Sequence, residues 1–290
     1  MSDALVWLDG ELLPAAEARI PVLDHGLLYG DGVFEGIRFH GKRVFRLAAH
    51  LRRLHDSARA IALQIPLSGE DLYRAIHDTV QAYPGEDGYI RLLVTRGVGP
   101  LGISTEGCEQ PRVIIIVDQV AVVPPARYAA GLKLASVATR RAPLDVLDPR
   151  IKSLNYLASV MARLEAQLAG ADEALLLNQA GRVAEGAAEN LFVVRDHVLL
   201  TPPSTEGALA GITRGAIMEV ARNQGVPVRE EALSRYDVYT ADECLLCGTG
   251  AGILPVREVD GRSLRHCPGP VTEGLQAGYR ALLMAEDIHQ

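Results

Sequence analysis

Lysine is nearly absent from this chain: of its 29 basic residues only Lys42, Lys133 and Lys152 are lysines, so positive charge is carried almost everywhere by arginine. Tryptophan occurs once and cysteine four times, and no apolar run approaches the length of a bilayer span. Each scarcity excludes something. Without an apolar span no membrane partner is expected. The opening Met1-Ser2-Asp3, with no basic region leading into an apolar stretch, predicts no secretory leader. Four irregularly spaced cysteines, Cys108, Cys244, Cys247 and Cys267, are too few for a disulfide framework, so a reducing cytoplasm is expected. Cys244-Leu-Leu-Cys247 has redox or zinc spacing, but it lies in an apolar strand-like run with no second ligand pair, which favours a structural role. No HExxH and no paired His/Cys cluster predicts a metal, and no GxxxxGK[ST] predicts a nucleoside triphosphate. The net charge of −7 is scattered rather than blocked, which speaks against a nucleic-acid partner and for small-molecule chemistry.

What is present suggests two lobes. With 48% hydrophobic residues, the chain can bury one large core or two medium ones. Residues 4–9, 33–39, 43–46, 88–95 and 112–118 read as strands. Leu47, Leu51, Leu54, Ala58 and Ile61 recur at helical steps, and Ser68 with Asp71 caps a second helix carrying Leu72, Ile76 and Val80. The two prolines of Val123-Pro124-Pro125 break both helix and strand. Beyond them come strands at 132–138, 173–177, 190–194 and 198–200. Helices are expected from Ser153 (with Leu157, Met161, Leu164 and Leu168 on one face), from Gly211-Ile212-Thr213 and from about Pro270. The expected architecture is α+β: an N-terminal domain over 1–122, a linker at 123–131 and a C-terminal domain over 132–290.

Lys152 is the lysine placed for chemistry. Lys42 sits in a turn and Lys133 at a strand mouth, whereas Lys152 lies beside polar groups in Arg150-Ile151-Lys152-Ser153-Leu154-Asn155-Tyr156. A primary amine there can form a Schiff base, which a guanidinium cannot; an ordinary helix-start lysine is the alternative on composition alone. Gly248-Thr249-Gly250-Ala251-Gly252 superficially suggests a dinucleotide fingerprint, but Pro255 stands where the helix would have to run. That segment reads better as a tight turn whose N–H groups can face an anion. Leu209-Ala210-Gly211-Ile212-Thr213 runs into a helix and offers a second anion site. Glu185, among small neighbours, could hold a protonated heteroaromatic nitrogen, although a solvated turn acid is the plainer reading of that residue alone. Arg53 stands at the edge of an apolar helix stripe, where a bidentate phosphate contact is open to it, and Tyr89 and Arg91 project from one strand face. An amine, an acid, an arginine and two anion-binding turns together describe a site for pyridoxal 5'-phosphate.

Several longer segments carry a resemblance: Tyr29-Gly30-Asp31-Gly32-Val33-Phe34-Glu35-Gly36-Ile37-Arg38, Tyr89-Ile90-Arg91, Lys152 to Tyr156, Glu185 to Phe192, Gly211 to Arg214, and Gly248-Thr249 before Pro255-Val256. In order and type they resemble the branched-chain aminotransferases of the class IV (fold type IV) pyridoxal phosphate family. The resemblance implies a fold like that of D-amino-acid aminotransferase, with a small N-terminal and a larger C-terminal domain. It also implies transamination of leucine, isoleucine and valine with 2-oxoglutarate. Lys152 would then carry the cofactor and move the proton, Glu185 would pair with the ring nitrogen, and Tyr156 would approach the phenolic oxygen. Arg53, the Gly211-Ile212-Thr213 helix start and Thr249 would hold the phosphate. Phe34, Gly36, Tyr89, Arg91, Thr249 and Gly250 would shape the substrate side. Tyr29, Leu101 and Ile103 would reach a neighbouring subunit's pocket, which implies a homodimer or a higher homo-oligomer. Two departures stand out. Asp118 to Val123 carries no aromatic residue, and Gly250-Ala251-Gly252 is richer in glycine than the family's usual Ala-Ala-Glu. Both would loosen the pocket edge and widen substrate tolerance. A D-amino-acid or (R)-amine aminotransferase, or an aminodeoxychorismate lyase, of the same fold is the alternative.

Overall fold

The computed structural model describes residues 4–119 and 125–285, so the leader expectation at Met1 and part of the expected linker lie outside the described residues. The chain divides into two compact units. Among the described residues the first takes 4–119 together with Ile151–Asn155, and the second takes 125–150 with Tyr156–Ala285.

In the first unit, β1 (Leu5–Leu8), β2 (Glu11–Pro14) and the short helix α1 (His25–Tyr29) precede β3 (Gly32–His40) and β4 (Arg43–Val44). Helices α2 (Leu47–Ala60) and α3 (Gly69–Ala82) follow, then β5 (Gly88–Thr95) and β6 (Arg112–Asp118). The strands form an antiparallel sheet in the order β2-β1-β6-β5-β3-β4. Alternation along β3 and β5 separates two faces. Val33, Ile37, Phe39, Ile90, Leu92 and Val94 join Leu54 of α2 and Leu72, Ile76 and Val80 of α3 in one buried cluster. Each fully buried Leu or Ile there contributes about 1.5–3 kcal/mol relative to exposure. Phe34, Gly36, Tyr89 and Arg91 occupy the opposite face, with Gly36 directly across from Arg91. Ser68 caps α3 by accepting from Asp71 N–H, as its spacing predicts.

In the second unit, α4 (Pro125–Ala130) and β7 (Leu132–Arg140) lead to α5 (Leu157–Leu168), β8 (Glu173–Leu177), β9 (Val183–Glu185), β10 (Asn190–Arg195) and β11 (Val198–Thr201). After a 3-10 turn at Ser204–Glu206 come α6 (Ile212–Asn223), β12 (Val228–Glu230) and α7 (Arg235–Tyr239). The unit closes with β13 (Glu243–Gly248), β14 (Gly252–Val259), β15 (Arg262–Ser263) and α8 (Pro270–Ala285). The sheet is mixed, in the order β12-β11-β10-β13-β14-β7-β8-β9 with β15 on β14. Its parallel pairs are β11 with β12, β14 with β7, and β7 with β8.

One expectation needs correction. The helix expected from Ser153 begins at Leu157. Residues 151–155 are drawn out instead as a bridge to β3: Phe34 N–H donates to the Lys152 carbonyl at 3.0 Å, Leu154 N–H donates to the Gly32 carbonyl at 2.9 Å, and Val33 pairs with Ser153. The Leu157-Met161-Leu164-Leu168 stripe of α5 also faces solvent in the isolated chain, with Leu157 72% and Leu168 90% exposed. The inward face is instead Ser159, Ala162 and Ala166, whose small side chains let α5 lie close against β7 and β8. Cys244 and Cys247 are both buried, and as residues three apart on β13 they project to opposite sheet faces. They cannot act as a redox pair, which agrees with the structural reading.

Candidate active site

The first unit assembles an amine, an arginine and an aromatic face. Lys152 is fixed through its backbone, its carbonyl bound by Phe34 N–H and its own N–H donating to Ser57 Oγ at 3.1 Å. Its Nζ stands 4.3 Å from the centre of the Phe34 ring. Arg91 lies 4.7 Å from the same ring and 5.5 Å from that of Tyr89. Gly36 makes this cluster possible, because a Cβ there would fall 1.8 Å from the Tyr89 hydroxyl. The structure thus brings together Lys152, Phe34, Gly36, Tyr89 and Arg91, all singled out from the sequence.

Behind that face, Glu35 projects from β3 toward α2 and is fully buried. Arg53 grips its carboxylate with Nε and Nη2, each at 2.7 Å, and His50 Nδ1 lies 2.7 Å from Oε2. Burial pushes the Glu35 carboxyl up, but the hydrogen bonds from Arg53 and His50 outweigh it and hold the group at about 2. Burial likewise lowers His50, against the pull of Glu35. A neutral ring beside an ionised carboxylate must carry its proton on Nδ1. Glu35 and His50 therefore orient Arg53, a role that the sequence reading missed. The signal was present: a carboxylate inside the apolar run Val33 to Ile37 needs a cation, and His50 and Arg53 sit one turn apart on the facing helix.

At the unit's edge, the Tyr29 hydroxyl accepts from Gly102 N–H at 2.8 Å and so holds the loop that carries Leu101 and Ile103. Those two side chains are 78% and 88% exposed.

The second unit supplies a held carboxylate and a helix start without a side-chain cap. Glu185 ends β9, nearly buried. Its Oε1 meets Arg141 Nη2 at 2.8 Å, while Oε2 accepts from Asn190 Nδ2 at 3.2 Å and Leu209 N–H at 3.0 Å. Burial and three donors exclude the solvated turn acid. Nearby, α6 starts at Gly211 with no side-chain cap, leaving first-turn N–H groups directed outward. Thr213 Oγ1 lies 3.3 Å from Thr249 Oγ1, which joins this helix start to the β13–β14 turn holding Gly250. Gly211 is required because a Cβ there would fall 2.0 Å from Asn190 Oδ1. Pro255 lies within strand β14, so no dinucleotide-type helix follows the glycines. Tyr156 stands half-buried immediately before α5. Arg141 and Asn190 went unassigned from the sequence, since the partners of Glu185 come from separate elements whose pairing no local spacing reveals.

Each unit by itself holds groups that suit a phosphate-bearing pyridoxal cofactor: the first a primary amine, the second a buried acid suited to a ring nitrogen and two hydroxyls at an uncapped helix start suited to a phosphate. Among the described residues no group of three or more His, Cys, Asp or Glu is arranged to hold a metal, and no helix is long and apolar enough to cross a membrane.

Comparison with known proteins agrees. The model of the family described as amino-transferase class IV matches residues 32–259. A branched-chain-amino-acid aminotransferase of Pseudomonas aeruginosa is 38% identical over 283 residues, spanning 96% of this chain and 92% of that protein. The crystal structure of a branched-chain aminotransferase from Thermoproteus uzoniensis with norvaline aligns with a TM-score of 0.91 at 38% identity, covering 98% of this chain and 96% of that one. A T.th. branched-chain amino acid aminotransferase complexed with N-(5'-phosphopyridoxyl)-L-glutamate aligns with a TM-score of 0.90 at 36% identity, covering 97% of this chain and 95% of that one.

Proposed function

This chain belongs to the class IV aminotransferases of fold type IV, in the branched-chain-amino-acid aminotransferase family, and on that premise we propose the reaction it performs. It transfers the amino group of L-leucine, L-isoleucine or L-valine to 2-oxoglutarate, giving the branched 2-oxo acids and L-glutamate. The observation that carries this reading is the Phe34 ring flanked by the Lys152 amine and the Arg91 guanidinium. One apolar wall suits an aliphatic side chain, and the cation beside it suits the second carboxylate of glutamate.

Pyridoxal 5'-phosphate, when bound, supplies an electron sink that acidifies the substrate Cα–H bond. The remaining work belongs to the chain. Lys152 Nζ would hold the cofactor and would move the proton at the substrate Cα. A positioned acid–base of this kind contributes about a hundred- to ten-thousand-fold. Glu185, held by three donors, would accept a hydrogen bond from the cofactor's ring nitrogen. Arg53, the N–H groups of the Gly211-Ile212-Thr213 helix start and Thr249 would hold the phosphate, and Tyr156 would approach the phenolic oxygen. Phe34, Gly36, Tyr89, Thr249 and Gly250 would shape the substrate side, and Arg91 would receive the glutamate carboxylate. We further propose a cytoplasmic homo-oligomer, a dimer at least. Support comes from the exposed Leu101 and Ile103 and from the uncovered apolar stripe of α5.

A half-reaction panel tests the substrate assignment. The visible band of the cofactor-loaded protein is followed after adding L-leucine, L-isoleucine, L-glutamate, D-alanine or an (R)-amine. Rapid bleaching by the branched L-amino acids and by L-glutamate is expected. Bleaching by D-alanine or the amine alone would replace this reading with the D-amino-acid or (R)-amine alternative.

A further inference from the structure

Arg141 follows β7 and reaches Glu185 with a donor set that packing alone does not explain. Its Nη2 lies 2.8 Å from Glu185 Oε1, and the same nitrogen lies 3.3 Å from the Gly186 carbonyl and 3.2 Å from that of Ala187. Nη1 donates to Ser159 Oγ at 3.3 Å. Nε is buried with no hydrogen-bond partner. A guanidinium kept largely out of solvent with one N–H unsatisfied carries a desolvation cost, and an apolar side chain at this position would avoid it. Its gain is a fixed cation against one carboxylate oxygen, while Asn190 and Leu209 hold the other. Among the described residues, Glu189, whose carboxyl burial pushes up, and Cys247, whose thiol burial also pushes up, lie near the pair.

We propose that Arg141 is a positioning residue that keeps Glu185 ionised and aimed, so that the proton shared with the cofactor's ring nitrogen stays on the nitrogen. This rests on the reading that Glu185 holds that nitrogen. Without the guanidinium, the carboxylate becomes more basic and draws the proton to itself. The ring then loses positive charge, and the amine-linked carbon–nitrogen group of the bound cofactor becomes easier to protonate.

The test compares wild type, R141M, R141K, E185Q and the double variant R141M/E185Q. Each is loaded with pyridoxal 5'-phosphate. The pH midpoint of the visible band, the cofactor dissociation constant and the melting temperature are then measured. R141M is expected to raise the midpoint by about one unit, as loss of one close opposite charge does, and to weaken cofactor binding at least several-fold. R141K is expected to keep most of the midpoint. In the E185Q background, removing Arg141 should add no further shift, because the carboxylate through which it acts is gone. Should R141M not fold, R141K decides: its lysine keeps the charge but not the fork, so binding should weaken while the midpoint holds. A wild-type midpoint in a folded R141M, an undiminished shift in the E185Q background, or an R141K indistinguishable from wild type would each overturn the proposal. Absence of any visible band in wild type would instead overturn the cofactor reading beneath it.

Discussion

Arg91 carries the substrate problem at the scale of single residues. It lies over Phe34 on a face kept open by Gly36, so the same few ångströms offer an apolar wall and a cation. Arg91→Ala is expected to raise KM for L-glutamate and 2-oxoglutarate by about tenfold or more, since a charge-assisted pair is lost, and to leave L-leucine nearly unchanged. Steady-state kinetics on both substrates checks this, and equal losses would remove Arg91 from the role. Glu35 makes a different kind of prediction. Its folded value of about 2 lies below its ordinary 4.5, so its ion pair stabilises the protein fully above that ordinary value, and the stabilisation is lost as the pH falls toward 2. Glu35→Gln removes the buried carboxylate that Arg53 and His50 hold, at a cost of about 3–5 kcal/mol. Melting followed across that pH range should show a lower midpoint at neutral pH and a shallower acid decline than wild type. A parallel decline in both proteins would contradict the account.

Legibility differed sharply from element to element. Helices α2 and α3 and strands β3, β5 and β6 were readable because their periodicity coincides with what they bury. The start of α5 was not, because residues 151–155 are committed to β3, a pairing between segments more than a hundred residues apart that no local pattern records. Short strands such as β2, β9 and β12 hold too few residues to display alternation. The α5 stripe was visible as apolar, but its direction was not. Small Ala162 and Ala166 allow the close approach to the sheet, and that turns the leucines outward. An exposed apolar stripe of this kind marks an association surface. Replacing Leu164 and Leu168 together with Asp should shift the protein toward the monomer in light scattering while its far-ultraviolet circular dichroism stays unchanged. An unaltered mass would contradict a role for α5 in assembly.

At the scale of the whole molecule, the motifs in their order sufficed for the family, and the structure adds what holds them. Lys152 was a compositional oddity in an arginine-rich chain. Its backbone is now seen tied to β3 and to Ser57, which sets the amine against Phe34. Glu185 changes from an apparent turn acid to a buried carboxylate with three donors. Arg53 joins the buried Glu35 and His50 in one hydrogen-bonded cluster. Arg141 and Asn190 stayed illegible as partners because each meets Glu185 across separate elements, whereas Glu35 within its apolar run already called for a cation. The central claim is that the Lys152 amine is the reacting group. It is tested most directly by the visible spectrum of wild type and Lys152→Ala, each loaded with pyridoxal 5'-phosphate, before and after L-leucine. Wild type should show a band that L-leucine bleaches, and Lys152→Ala should bind the cofactor without covalent attachment, so that borohydride reduction labels only wild type. Equal labelling of both proteins, or a Lys152→Ala variant that turns over L-leucine at the wild-type rate, would contradict the account.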